Sequence, residues 1–277
     1  MHRAAASALL TLIGSALSGF TGTAATPLTG RIVESSFASA AGPLSYDVYL
    51  PPGYDTTRTR YPTLYYLHGL PAGPGAYRTF SYVPAALEAA GLQAIVVAPE
   101  AATASDPDPE FVDWGPGRDW DTAISVQLPR VVDSLYRTIP DRSGRGILGV
   151  SAGGYGAMLL GLHHLHLYSA IESWSGYFHP TDPTGTRTIS SRSWLSAHAF
   201  VKSLPRALVA NPMFLGFYVG DGDRLFRQEN VGLARELSRA NVPFNFRIYA
   251  GGHTQALWTA NAPAWLTLLL QHRAPAN

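Results

Sequence analysis

The sequence predicts an α/β fold, a mostly parallel sheet of the eight-stranded type with helices on both faces. Three observations lead there. Short apolar runs bounded by Gly and Pro recur along the chain. Stretches of helical periodicity lie between many of them, which is the pattern of a parallel sheet covered on both sides. The chain is 46% hydrophobic and only 14% charged, so it can bury a large core.

Strands are expected at 31–37 (Arg-Ile-Val-Glu-Ser-Ser-Phe), 45–50 (Ser-Tyr-Asp-Val-Tyr-Leu) and 63–67 (Thr-Leu-Tyr-Tyr-Leu). A helix at 83–90 then leads to a strand at 94–98. The segment 121–136 places Ile124, Leu128, Val131, Val132 and Leu135 on one helical stripe, with Pro129 marking a kink or break. A strand at 146–150, a helix at 154–165 and a strand at 170–174 follow. Next come a strand at 214–219, a helix at 230–240 and a strand at 244–249. The last helix is expected at 263–271, because Pro263 suits a first helical turn. Loops rich in Gly, Pro and Asp at 101–118 and 180–193 either cover a cleft or form irregular surface.

The first 25 residues read as an export signal. A weakly basic start, His2 and Arg3, precedes an apolar stretch over 4–17, then small residues and a cleavage site near Thr23-Ala24-Ala25. That stretch is short for a membrane span, and no second long apolar run follows. Residues 26–277 then read as a single domain, without internal repeat or low-complexity linker. A formal net charge of +1 with scattered basic residues gives no nucleic-acid footprint. Lys202-Ser203 lacks the glycines of a phosphate loop. With no cysteine, disulfides, thiolate metal sites and a cysteine nucleophile are excluded.

One serine stands where a strand should turn into a helix. Gly149-Val150-Ser151-Ala152-Gly153 fits G-x-S-x-G, a turn too tight for flanking side chains that lifts the hydroxyl above the carboxyl edge of a sheet. A serine alcohol needs a base, and the base an orienting acid. His253, in Gly251-Gly252-His253-Thr254, sits just past a predicted strand, where ligands bind in open α/β sheets. His272 is expected to be solvated. The spacing of His163, His164 and His166 invites a metal, but no carboxylate accompanies them locally, so a solvated helix end is expected. His179 lies close after a strand end and could line the cleft; the structural reading is favoured. For the acid, Asp221 and Asp223 both follow a predicted strand, and periodicity does not separate them. A calcium loop at this Asp-Gly-Asp lacks the remaining ligand spacing. An oxyanion hole would combine the Ala152 amide with one from the loop after the third strand. There Leu70 can donate and Pro71 cannot. Trp114, Trp120, Trp174, Tyr177 and Phe178 either stack on a substrate or belong to the core.

These residues resemble the esterase D-like α/β-hydrolases, a family that includes feruloyl and other carbohydrate esterases, S-formylglutathione hydrolase and secreted mycolyltransferases. The resemblance runs from about Ser45 to Leu270. It rests on Tyr49-Leu50-Pro51-Pro52-Gly53-Tyr54, Tyr61-Pro62, Leu67-His68-Gly69, Tyr136-Arg137-Thr138, Asp141-Arg142, and Gly149 through Met158. Ser175-Gly176, the Gly-x-x-Asp of Gly220 to Asp223, and Gly252-His253 match in order. The short loop after His68-Gly69, with Pro71 and Pro74, is a departure. The resemblance implies an α/β-hydrolase fold and a serine esterase with Ser151, Asp223 and His253 as triad and Leu70 and Ala152 as oxyanion donors; the export signal at 1–25 makes it a secreted one. It assigns the acid to Asp223 over Asp221. It implies a small-molecule ester as substrate, of carbohydrate or aromatic type, and neither metal nor organic cofactor. A transferase that passes the acyl group to a sugar hydroxyl would use the same residues. The intact Ser, Asp and His argue against a non-catalytic cell-envelope binding protein.

Overall fold

Strands with no polar side can be buried only if both faces are covered, and this sets the architecture. The computed structural model describes residues 27–108, 110–181, 187–188 and 190–273; the expected export signal at 1–25 lies outside them. The elements run β1 (Arg31–Ser39), β2 (Gly42–Leu50), β3 (Thr63–Leu67), α1 (Tyr82–Ala89), β4 (Ile95–Pro99), α2 (Leu128–Leu135), β5 (Arg145–Val150) and α3 (Ala152–His163). They continue with β6 (Ala170–Trp174), α4 (Ala197–Phe200), α5 (Leu204–Ala210), β7 (Phe214–Gly220), α6 (Arg227–Arg239), β8 (Asn245–Tyr249) and α7 (Gln255–Gln271).

The eight strands form one sheet in the order β1-β2-β4-β3-β5-β6-β7-β8. β2 pairs antiparallel with β1 and β4, and every pair from β4 through β8 is parallel. All residues of β3, β4, β5 and β6 are buried, whereas the edge strands β1 and β8 are half-exposed. Side chains alternate between two cores, as the strand period requires. On one face Leu64, Tyr66, Leu148 and Trp174 meet Val83 and Leu87 of α1 and Trp265 and Leu269 of α7. On the other, Tyr65, Ile147, Ile171 and Phe217 meet Val132 of α2, Leu160 of α3 and Leu237 of α6. Parallel pairing brings the carboxyl ends of β3, β5, β7 and β8 to one edge. Among the described residues no helix is long and apolar enough to cross a membrane.

The expected α/β architecture is present, with three local differences. The helix expected at 121–136 starts at Trp120 and carries a π-helical turn, Thr122–Gln127, before the regular α-helix from Leu128. Pro129 sits just after this turn in a continuous helical segment, and the wider turn ahead of it accommodates a ring that has no N–H to donate. α7 starts at Gln255 rather than Pro263, because Thr254 Oγ1 caps the Leu257 amide. Pro263 is therefore interior. The carbonyl left without a donor belongs to Thr259, which is exposed to water. The short helices α4 and α5 have no counterpart among the expected elements.

Candidate active site

β5 and α3 are joined by the turn that carries Ser151. Its backbone is held at φ 54° and ψ −121°, a conformation L residues rarely adopt. The Ser151 amide donates to Trp174 O at the end of β6 (2.9 Å), and the Tyr155 amide donates to Ser151 O (3.0 Å). Glycine is required on both sides. A Cβ at Gly149 would lie 2.2 Å from Gly153 O, and one at Gly153 would lie 2.0 Å from Leu67 O.

The loops after β7 and β8 bring the other candidates to this turn. His253 Nε2 lies 2.9 Å from Ser151 Oγ, and His253 Nδ1 lies 2.8 Å from Asp223 Oδ2. Asp223 is 1% exposed. Its Oδ1 accepts the amides of Leu225 and Phe226, both at 3.1 Å, which fixes the carboxylate. Asp221 is exposed and holds a different group: its Oδ1 accepts the Gly251 amide (2.9 Å), bracing the loop that carries the histidine. Phe226 and Trp258 stand edge-on to the imidazole at 5.2 and 5.3 Å. Trp258 is held in turn, its Nε1 donating to Ser175 Oγ (3.0 Å).

The loop after β3 closes the site from the other side. Gly69 passes so near the serine that a Cβ there would lie 3.1 Å from Ser151 Cβ. Among the described residues no backbone or side-chain acceptor engages the Leu70 or Ala152 amide. Both are therefore free to serve a ligand. A pocket of about 300 Å³ opens beside Ser151 between Leu70, Tyr66, Tyr82, Gln255 and Trp258. The Tyr66 and Tyr82 hydroxyls pair at 3.0 Å.

Other candidates lie elsewhere. Trp120, Trp174, Tyr177 and Phe178 are buried core residues, and the aromatic walls of the pocket are Tyr66, Tyr82 and Trp258. No described residue of 101–118 lines the pocket; Phe111 instead packs on Gly156 of α3, and Glu110 accepts the Tyr177 hydroxyl (2.9 Å). His179 bonds Glu229 (2.5 Å). His163 and His164 do have a carboxylate partner, brought by the fold from Asp121: its oxygens lie 3.1 Å from His163 Nδ1 and 2.6 Å from His164 Nε2. This end of α3 is half-buried rather than solvated. Burial lowers the His163 pKa, but Asp121 and the Trp194 carbonyl outweigh it and the net direction is up. Among the described residues no group of three or more His, Cys, Asp or Glu is arranged to hold a metal.

The family model for esterases matches residues 39–268. The chain belongs to the Esterase family. An esterase of Mycobacterium tuberculosis is 33% identical over 133 residues, an alignment covering 47% of this chain but only 28% of that protein. The solved structure of a ferulic acid esterase superposes with TM-score 0.72 at 24% identity, covering 88% of this chain and 97% of that one. An S-formylglutathione hydrolase from Agrobacterium tumefaciens gives TM-score 0.72 at 16% identity, covering 90% and 98%. At these identities the two structures show the fold, an α/β-hydrolase-type sheet with helices on both faces. Of the residues around Ser151, Tyr66, Tyr82 and Trp258 of the pocket carry no motif, and composition could not select them.

Proposed function

We propose that this chain is a serine esterase that hydrolyses a small-molecule carboxylic ester through an acyl-enzyme on Ser151. One observation carries the reading: the unbroken relay from Ser151 Oγ to His253 at 2.9 Å and from His253 to Asp223 at 2.8 Å, at the mouth of a pocket. In this reading His253 Nε2 takes the serine proton as Oγ attacks the ester carbonyl, and Asp223 holds the ring and stabilises its cation. The Leu70 and Ala152 amides receive the oxyanion, each worth about 3 kcal/mol in the transition state. The carbon–oxygen bond to the alcohol breaks, and the alcohol departs with the proton from His253. Water, deprotonated by His253, then attacks the acyl-enzyme and releases the acid and the serine.

Pocket size bears on the acyl group. A pocket of about 300 Å³ beside Ser151 accommodates a short or single-ring acyl group, and small esters are the substrates proposed. The reading includes export directed by residues 1–25 and one catalytic domain over 26–277. Rates on p-nitrophenyl esters of graded acyl length, beside Ser151→Ala, test it. Activity on short esters that vanishes in the variant is expected. Activity that persists in Ser151→Ala, or none in the natural protein, would overturn the proposal.

A further inference from the structure

We infer that His68 is a positioning residue of the oxyanion hole: it holds the Gly69 carbonyl and so aims the Leu70 amide at the reacting oxygen. The inference rests on the acyl-transfer reading of Ser151.

His68 follows β3 directly and is only 3% exposed. Its Nε2 lies 3.2 Å from the Ala101 amide nitrogen, just past β4. A backbone N–H can only donate, so Nε2 must be the bare, accepting nitrogen. The neutral ring then carries its proton on Nδ1, which lies 3.1 Å from Gly69 O and donates to it. Burial pushes the imidazole pKa down and maintains this neutral form.

The Gly69 carbonyl and the Leu70 N–H belong to one peptide unit. That unit is trans and planar, so its C=O and N–H point in opposite directions. Fixing the carbonyl toward His68 turns the Leu70 N–H away from it. Gly69, Leu70 and Ser151 line the pocket, while His68, Ala101 and Phe111 do not; His68 packs against Phe111 behind the loop. The N–H is thus directed to the pocket side, and no described residue accepts from it. If the peptide rotated, a carbonyl would face the oxyanion and the donor would be lost. The Ala101 bond performs a second task, fixing the tautomer that makes the first possible.

Two substitutions separate these bonds. The amide of Asn overlays the Nδ1 position of a histidine, and that of Gln overlays Nε2. His68→Gln keeps an acceptor for Ala101 and loses the donor to Gly69; His68→Asn does the reverse. With p-nitrophenyl acetate, His68→Gln should lower kcat about 10- to 100-fold with KM within about threefold, the pattern of a lost transition-state contact. His68→Asn should stay within about fivefold of the natural enzyme. Long-range proton–nitrogen NMR of the natural protein, labelled at histidine, should show His68 protonated at Nδ1 alone. This readout decides the matter even if both variants fail to fold. A proton on Nε2 or, in variants that fold, a kcat in His68→Gln equal to that of the natural enzyme or an equal loss in both, overturns the inference alone. Absence of Ser151-dependent hydrolysis in the natural protein overturns the esterase reading and this inference with it.

Discussion

Asp223 and Glu172 stand on neighbouring strands of the sheet, one just past β7 and the other inside β6. They are 1% and 0% exposed. Asp223 accepts two backbone amides and faces the imidazole of His253. Glu172 pairs with no cation among the described residues. It accepts the Trp174 indole N–H and the Tyr218 hydroxyl, both at 2.9 Å, beneath the rings of Trp174, Tyr218 and Trp265. Burial pushes the Glu172 carboxyl up to about 8, against which these two donors count for less. The contrast teaches that depth alone does not decide what a buried carboxylate can do in this fold. The partners do: fixed donors plus a histidine in one case, a closed aromatic box in the other.

The largest effect should come from breaking the Asp223 side. Asp223→Asn can still accept the Leu225 and Phe226 amides, so the loop should hold. It would instead present an N–H to the imidazole or favour the wrong tautomer, and kcat should fall on the order of 10⁴-fold. A loss below about tenfold in steady-state kinetics would remove the distinction between the two carboxylates.

Glu172→Gln should act on stability and leave kcat unchanged. A carboxyl at about 8 in the folded protein and 4.5 unfolded is protonated in both states at pH 4, so it contributes nothing there. As pH rises from 4.5 to 8 the unfolded state loses the proton and the folded state keeps it. Stability is lost progressively across that window, by about 5 kcal/mol at its end, and no further above it. The amide that replaces the carboxyl in this variant cannot ionise. Denaturant midpoints of the variant should therefore exceed those of the natural protein at pH 8 and converge with them near pH 4. A constant offset across this range would mean that Glu172 is not a buried neutral acid.

Much of this was legible in the sequence because continuous apolar runs can be satisfied only inside a covered sheet. Each of the eight strands was marked by such a run or by alternation, and the glycines around Ser151 mark a turn whose close approaches, to Gly153 O and Leu67 O, allow no side chain. Strand ends also nominated the three residues that the structure joins by hydrogen bonds, although periodicity left Asp221 and Asp223 equal. The family resemblance chose Asp223, and the fold supplies the physical difference, sending Asp221 to Gly251 and Asp223 to His253. What stayed hidden depends on distant segments. Pro263 looks like a helix start until Thr254 is seen to cap the helix earlier. Asp121 reaches His163 and His164 across 42 and 43 residues of sequence. Trp258 has no motif, and its role emerges only when α7 packs beside Ser175.

Trp258 gives the smallest effect and sharpens the comparison. Its ring stands at 90° to the imidazole, and its N–H reaches Ser175 Oγ at 3.0 Å. The first contact is packing and the second a single neutral hydrogen bond to a fully buried hydroxyl. Trp258→Phe preserves an aromatic face beside His253 and removes the N–H. The loss should be about 1 kcal/mol of stability and a few-fold in kcat/KM. Trp258→Ala removes the wall as well and enlarges the pocket, so KM for a small ester should rise while the Phe variant keeps it. If Phe and Ala were equally damaging, the hydrogen bond to Ser175 would be what holds the imidazole. The histidine would then resemble Asp223 in depending on fixed polar partners on both sides.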